Sequence, residues 1–194
     1  MGDIMSLFKR IEYNAPVTLT FSLICLIVLI FYNVFGEGFL YAVAMTYRDS
    51  LLNPMMYVRL ITHIFGHLGW DHFFGNMSYI LLLGPMVEEK YGSDKLIVKI
   101  FATALITGIL NNVLFPNVAL CGASGIVFML IVLSSVTSVK SGKLPLTLVL
   151  VLIIYLGAEV YNAIMVTDSI SQFTHIIGGI CGSIFGLFSD KNKK

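Results

Sequence analysis

Charge is what this chain has least of. Of its 194 residues only 12% are Asp, Glu, Lys or Arg, about half the share an ordinary soluble domain carries. A chain so poor in charge cannot clothe a water-exposed surface, and it contains no basic segment able to bind nucleic acid. Proline is scarce, with five residues, and cysteine numbers three, an odd count that excludes a self-contained disulfide framework. Polar low-complexity tracts, internal repeats and linkers are missing, so residues 1–194 read as a single domain. The ~10-residue segments of alternating polarity that build a transmembrane barrel are missing too.

What is present is apolar: 57% hydrophobic residues and a mean hydropathy of +0.89. The runs lie at about 16–35, 70–87, 96–115, 124–139, 144–164 and 170–188, each near the ~20 residues a helix needs to cross ~30 Å of hydrocarbon. They predict an all-α membrane protein, a bundle of six transmembrane helices. The first run is too long for a cleaved signal peptide and no small-residue cleavage site follows it. Met1-Gly2 with Ser6 fits a myristoylation pattern, a short motif that a polytopic chain has no need of.

Basic residues orient the bundle. With the N-terminus in the cytoplasm, the inner segments hold Lys9, Arg10, Lys90, Lys95, Lys99, Lys140, Lys143, Lys191, Lys193 and Lys194, and the outer ones only Arg48 and Arg59. That asymmetry places both termini in the cytoplasm, in a multi-pass protein of the cell membrane. The connection from Gly36 to Gly69 is then the one long loop, and it is extracellular. Tyr57, Leu60, Ile61, Ile64 and Phe65 recur in it at helical spacing, which predicts an amphipathic element at the interface.

A rise of ~1.5 Å per residue sets the depth of the polar groups. Ser124 falls roughly 22 Å above Val139, His175 roughly 20 Å above Phe188, and Asn76 and His72 roughly 18 and 24 Å above Glu88. These four share one layer, and the i,i+4 spacing of His72 and Asn76 puts them on one helix face. A fourth helix starting at Ser124 is shortened to about 24 Å. The stretch from Pro116 to Ala123 must then dip below the outer surface, which non-helical backbone does only where protein shields it or a water-filled cavity adjoins it.

Each group also has a plain role. A membrane-helix serine commonly bonds the carbonyl one turn back. Gly122 and Gly125 around Ser124, and Gly178, Gly182 and Gly186 after His175, fit close helix packing. An intramembrane histidine is a candidate functional residue by default. Packing along the glycine ladder would bring His175 against Ser124, and the pairing has a chemical logic. A serine hydroxyl needs a neighbouring base, which a neutral imidazole supplies. Acyl transfer also needs donors for the developing oxyanion: the first N–H groups of the fourth helix, the Asn76 amide and His72. No aspartate lies at the depth of His175, which predicts a dyad, with Phe128 one turn past Ser124 placed to pack on the imidazole.

Arg59, the segment His67-Leu-Gly-Trp-Asp-His-Phe-Phe-Gly-Asn-Met77, Gly122-Ala-Ser-Gly125 and His175-x-x-Gly178-x-x-x-Gly182 follow in this order over six spans. In this the chain resembles the rhomboid intramembrane serine proteases, from Pro16 to Phe188. The resemblance implies hydrolysis of peptide bonds in or near transmembrane segments of other proteins, with no cofactor, Ser124 as nucleophile and His175 as base. Asn76, His72 and the Ser124 backbone would hold the oxyanion. It further implies a scaffold-stabilising first loop, and control of substrate entry by the fifth helix, about 144–164, and the loop at 166–173. Two departures stand out: Val58 before Arg59 where many members have tryptophan, and Phe128 where some have tyrosine.

Two other readings use the same residues. One is a catalytically silent scaffold that binds membrane clients; retention of both Ser124 and His175 argues against it. The other is a metal or ion site from His63, His67, His72 and His175, in which His63 and His67 have ligand spacing but no carboxylate partner. The plain role of that pair is a loop helix facing headgroups. Cys121 is a rival nucleophile, Cys25 and Cys181 read as buried filler, Glu159 is costly in the fifth span unless paired, and Glu88 and Glu89 read as solvated inner-face residues.

Overall fold

In the computed structural model, residues 12–136, 146, 149–150, 153–154 and 169–188 are described. They fold as helices: α1 Pro16–Phe35, α2 Glu37–Val43, α3 Pro54–Thr62, α4 Trp70–Tyr91, α5 Ser93–Leu114, α6 Ser124–Val136 and α7 Ser169–Phe188, with a 3₁₀ turn at His63–Phe65 before α4. Most of the expected fifth span, Glu159 within it, and residues 166–168 lie outside the described residues. Residues 170–173, which fell in both the sixth run at 170–188 and the entry loop at 166–173, belong to the start of α7.

Helix α1 has the limits its sequence announces. Pro16 sits in its first turn, where a missing N–H costs nothing, and Gly36 ends it at φ +77° while donating its N–H to Tyr32 O at 2.8 Å. One stripe, Thr18, Phe21, Cys25 and Leu29, is buried. Leu23, Ile27, Ile30 and Val34 on the other side are exposed. For a helix in water that surface would be a defect; in lipid it costs nothing. By length and composition α1 and α5 qualify as membrane spans, and α6 and α7 contain shorter apolar stretches.

The base of the bundle is tied by a carboxylate that sequence placed in solvent. Glu88 is buried, in the last turn of α4, and accepts hydrogen bonds from Val17 N (2.9 Å), Thr18 N (3.0 Å), Thr18 Oγ1 (2.8 Å) and Ser93 Oγ (2.8 Å). It thereby satisfies orphan N–H groups of α1, and its charge meets the positive end of that helix. Only Glu89 is exposed. A side chain at Gly84 would meet Thr18 Cγ2 at 2.5 Å, so the absence of one lets α4 and α1 cross closely enough for the Glu88 bonds to form.

The long connection after α1 is folded, and it runs over α5. Arg59 is buried with its guanidinium 2.5 Å from Asp49 and 4.3 Å over the Tyr47 ring. Asp49 is also bonded by Ser50 N–H and by Asn53, and these bonds, the Ser50 one foremost, hold its carboxyl below the usual carboxylate range. Val58, in the place of the expected tryptophan, is exposed. His63 and His67 face inward: both are buried, and desolvation pushes each pKa down to about 4, so both rings are neutral. His63 lies 3.2 Å from Arg59 O and 3.4 Å from Thr107 Oγ1 on α5. The expectation that this pair faces headgroups is therefore wrong.

Candidate active site

Ser124 is the first residue of α6, and the backbone leading to it is fastened on three sides. Thr46 and Leu120 exchange backbone hydrogen bonds at 2.9 and 2.8 Å, Gly122 N–H donates to His63 O at 2.9 Å, and Asn111 Nδ2 donates to Val118 O at 3.0 Å. Residues 115–123 form no helix. Gly122 stands at φ +122°, and a side chain there would meet His72 Cε1 and Nε2 at 2.7 Å. Conformation and space both demand glycine at this position. The outcome is an irregular segment held by protein in front of a helix that starts at Ser124.

Helix α7 packs along α6 more extensively than any other pair among the described helices. At Gly178 an added Cβ would strike Gly125 O and come within 2.9 Å of Gly125 C, and at Gly182 it would strike Met129 O and sit 3.1 Å from Met129 Cα. Gly179, one residue round, would meet only Val132 Cγ2 at 3.6 Å. Gly125 in turn faces Thr174 Cγ2 at 3.3 Å. Backbone therefore lies on backbone at the level of Ser124, the geometry small residues permit in membrane helices.

Above this contact opens a cavity of about 300 Å³ lined by Asp71, His72, Gly75, Asn76, Tyr79, Ser124, Val127, Phe128 and His175. It collects Ser124, His175, His72 and Asn76, all four residues singled out from sequence. The imidazole of His175 stacks on Phe128, with centroids 4.3 Å apart and planes 8° from parallel. Asn76 is 7% exposed, and its Nδ2 has no hydrogen-bond partner among the described residues. A buried amide donor left open costs about 1–3 kcal/mol, unless the group that enters the cavity takes its hydrogen. His72 is backed by His67, the rings 4.9 Å apart.

Asp71, Gly75, Tyr79 and Val127 also line the cavity and were not anticipated. The signal existed: Asp71, Gly75 and Tyr79 repeat at i,i+4 beside His72 and Asn76. Cys121 does not line the cavity; it packs with Leu40, Ala44 and Met45 and lies against Gly66. Cys25 and Cys181 are buried in the core. Among the described residues no three His, Cys, Asp or Glu side chains gather into a metal-holding group.

The sequence model of the Rhomboid domain matches residues 54–191. The chain belongs to the rhomboid family, whose members are integral membrane proteins. Among curated relatives, Rhomboid protease GlpG of Yersinia enterocolitica is 25% identical over 181 residues, covering 91% of this chain and 64% of that protein. Rhomboid protease GlpG of Klebsiella pneumoniae is 32% identical over 125 residues, covering 63% of this chain and 44% of its own. The protein of the same name from Salmonella typhi is 32% identical over 119 residues, with shares of 61% and 42%. The chain thus spans less than two thirds of the length of these relatives.

Proposed function

We propose that this chain is an intramembrane serine endopeptidase that hydrolyses peptide bonds in or near transmembrane segments of other membrane proteins. The observation that carries the reading is the single cavity shared by Ser124 and His175, with an open Asn76 donor in its wall. In this mechanism His175 takes the Ser124 hydroxyl proton as Oγ attacks the scissile carbonyl carbon. The carbonyl oxygen becomes an oxyanion, held by Asn76 Nδ2, His72 and the first N–H groups of α6. Collapse expels the amine, which receives the proton from His175, and water then cleaves the acyl-serine by the same route in reverse. Stacking on Phe128 restricts the imidazole to one plane, the orienting role that an aspartate plays in a triad.

Six spans complete the fold in this reading, the fifth falling at 144–164, with both termini cytoplasmic in the cell membrane and the cavity opening toward the outer face. Its partners are transmembrane substrates and the bilayer.

A fluorophosphonate or isocoumarin probe tests the assignment on the purified protein. Label should appear on Ser124 and vanish in Ser124→Ala and in His175→Ala, with both variants folded. Label that persists in Ser124→Ala and disappears in Cys121→Ala refutes it. A folded wild-type chain that takes no label and cuts no membrane substrate supports the client-binding scaffold instead.

A further inference from the structure

The wall of the cavity formed by α4 has features that the hydrolytic chemistry leaves unused. Asp71, Gly75 and Tyr79 lie on one face of α4 at i,i+4 steps, so the stripe descends about 12 Å from the outer end of the helix. All three residues are exposed. A Cβ added at Gly75 would find nothing within 4 Å among the described residues. Unlike Gly84 on the same helix, this glycine meets no other described helix, and its lack of a side chain leaves this wall open among the described residues. Asn76, more than nine-tenths buried beside it, presents an amide donor with no partner among the described residues. The open wall and the open donor belong to one cavity.

The charge that the described residues bring to that cavity is one-sided. Among the described residues lining it, Asp71 is the single acidic one and none is lysine or arginine. Arg59, of the first loop, is already bound to Asp49. A carboxylate in a cleft with low-dielectric walls raises the local concentration of cations.

We propose that Asp71 is a specificity-determining residue: it selects substrates carrying a lysine or arginine beside the scissile bond, while Gly75 leaves room for the substrate backbone along α4. The proposal rests on the protease reading above. Selection of this kind is sharp because lysine and arginine are depleted on the outer flanks of membrane proteins, so few clients would offer a cation at that level. An exposed ion pair is worth up to about fivefold in a ratio of rates, and that is the preference expected in kcat/KM for lysine over glutamate.

The test uses the full-length chain in lipid vesicles and one membrane-anchored substrate, with Lys, Gln or Glu placed in turn at each of the six positions around the cut. Wild type should favour Lys over Glu about fivefold at one position, with Gln between. Asp71→Asn should abolish that preference while Ser124 still takes the activity probe, and Asp71→Lys should invert it to favour Glu. The preference should shrink as salt rises. Cleavage with the same order of preference in wild type, Asp71→Asn and Asp71→Lys overturns the role of Asp71 and leaves the protease reading intact. No cleavage of any substrate together with no labelling of Ser124 overturns both.

Discussion

Adding one methyl group to α7 distinguishes a packing contact from a spacer. In Gly178→Ala the new Cβ would overlap Gly125 O and sit 2.9 Å from Gly125 C, whereas carbon atoms in contact prefer about 3.5–4.0 Å. Relief requires the two backbones to part by about 1 Å, because the atoms met are main chain and have no rotamer to change. Gly125 follows Ser124 directly, and Gly178 is one turn from His175, so the displacement falls between the proposed nucleophile and base. A shift of that size costs on the order of 10²-fold in rate, and overpacking costs about 1–3 kcal/mol. At about 2–4 °C per kcal/mol for a chain of this length, the melting temperature should fall by roughly 2–12 °C. Gly179→Ala is the matched control: its Cβ would rest 3.6 Å from Val132 Cγ2, an ordinary contact, and alanine favours the helix. Rates of probe labelling and substrate cleavage, with melting followed in the same detergent, give the comparison. Equal rates and equal melting in the two variants would refute the claim that α6–α7 backbone contact sets the distance between Ser124 and His175.

The oxyanion assignment predicts that Asn76→Ala lowers kcat by about 10²–10³ with little change in KM; His72→Ala should act in the same direction. Wild-type turnover in both would leave the α6 backbone as the sole donor. Acid should loosen the first loop. His63 and His67 are neutral in the fold with pKa about 4, while unfolded histidine titrates near 6.5, so below pH 6.5 the unfolded chain binds more protons. Stability is then complete above pH 6.5 and is lost progressively down to about pH 4, by up to about 3 kcal/mol per ring. Melting scans across that interval check the sign, and His63→Gln should flatten the curve. A flat wild-type curve contradicts the burial of these rings.

Local signals carried far in this sequence, and contacts between distant segments did not. Pro16 and Gly36 bracket α1 because each limit depends on one residue's own backbone chemistry. The start of α6 was equally legible, since a run that begins at Ser124 is too short to reach the outer surface. Helix α4 was expected to end at 87 and runs on to Tyr91, stopping only before Gly92. The four residues beyond include two glutamates and a lysine, which hydropathy rejects. One of those glutamates is buried because the start of α1 supplies its donors, a partnership across 70 residues that no local pattern encodes. His63 and His67 misled because spacing alone suggested a surface: His63 meets Thr107 of α5 and Gly122 of the segment before Ser124, and His67 meets His72 and Phe73 of α4. The cavity residues on α4 were a different omission. Helical periodicity pointed to Asp71, Gly75 and Tyr79 once His72 and Asn76 were chosen, but glycine and an end-of-helix aspartate carry no chemical flag.

The cavity is walled by α4, α6 and α7, and the last of these carries His175. During synthesis Ser124 leaves the ribosome well before His175, and elongation at about 5–20 residues per second separates the two by several seconds. Until α7 is threaded into the membrane and lies along its glycines against α6, the nascent chain displays Ser124 without the His175 imidazole, the proposed base, in the same cavity. If the proposed protease reading holds, the order of the helices is a safety catch: an incomplete or prematurely terminated copy would enter the bilayer among other newborn membrane proteins and leave them uncut.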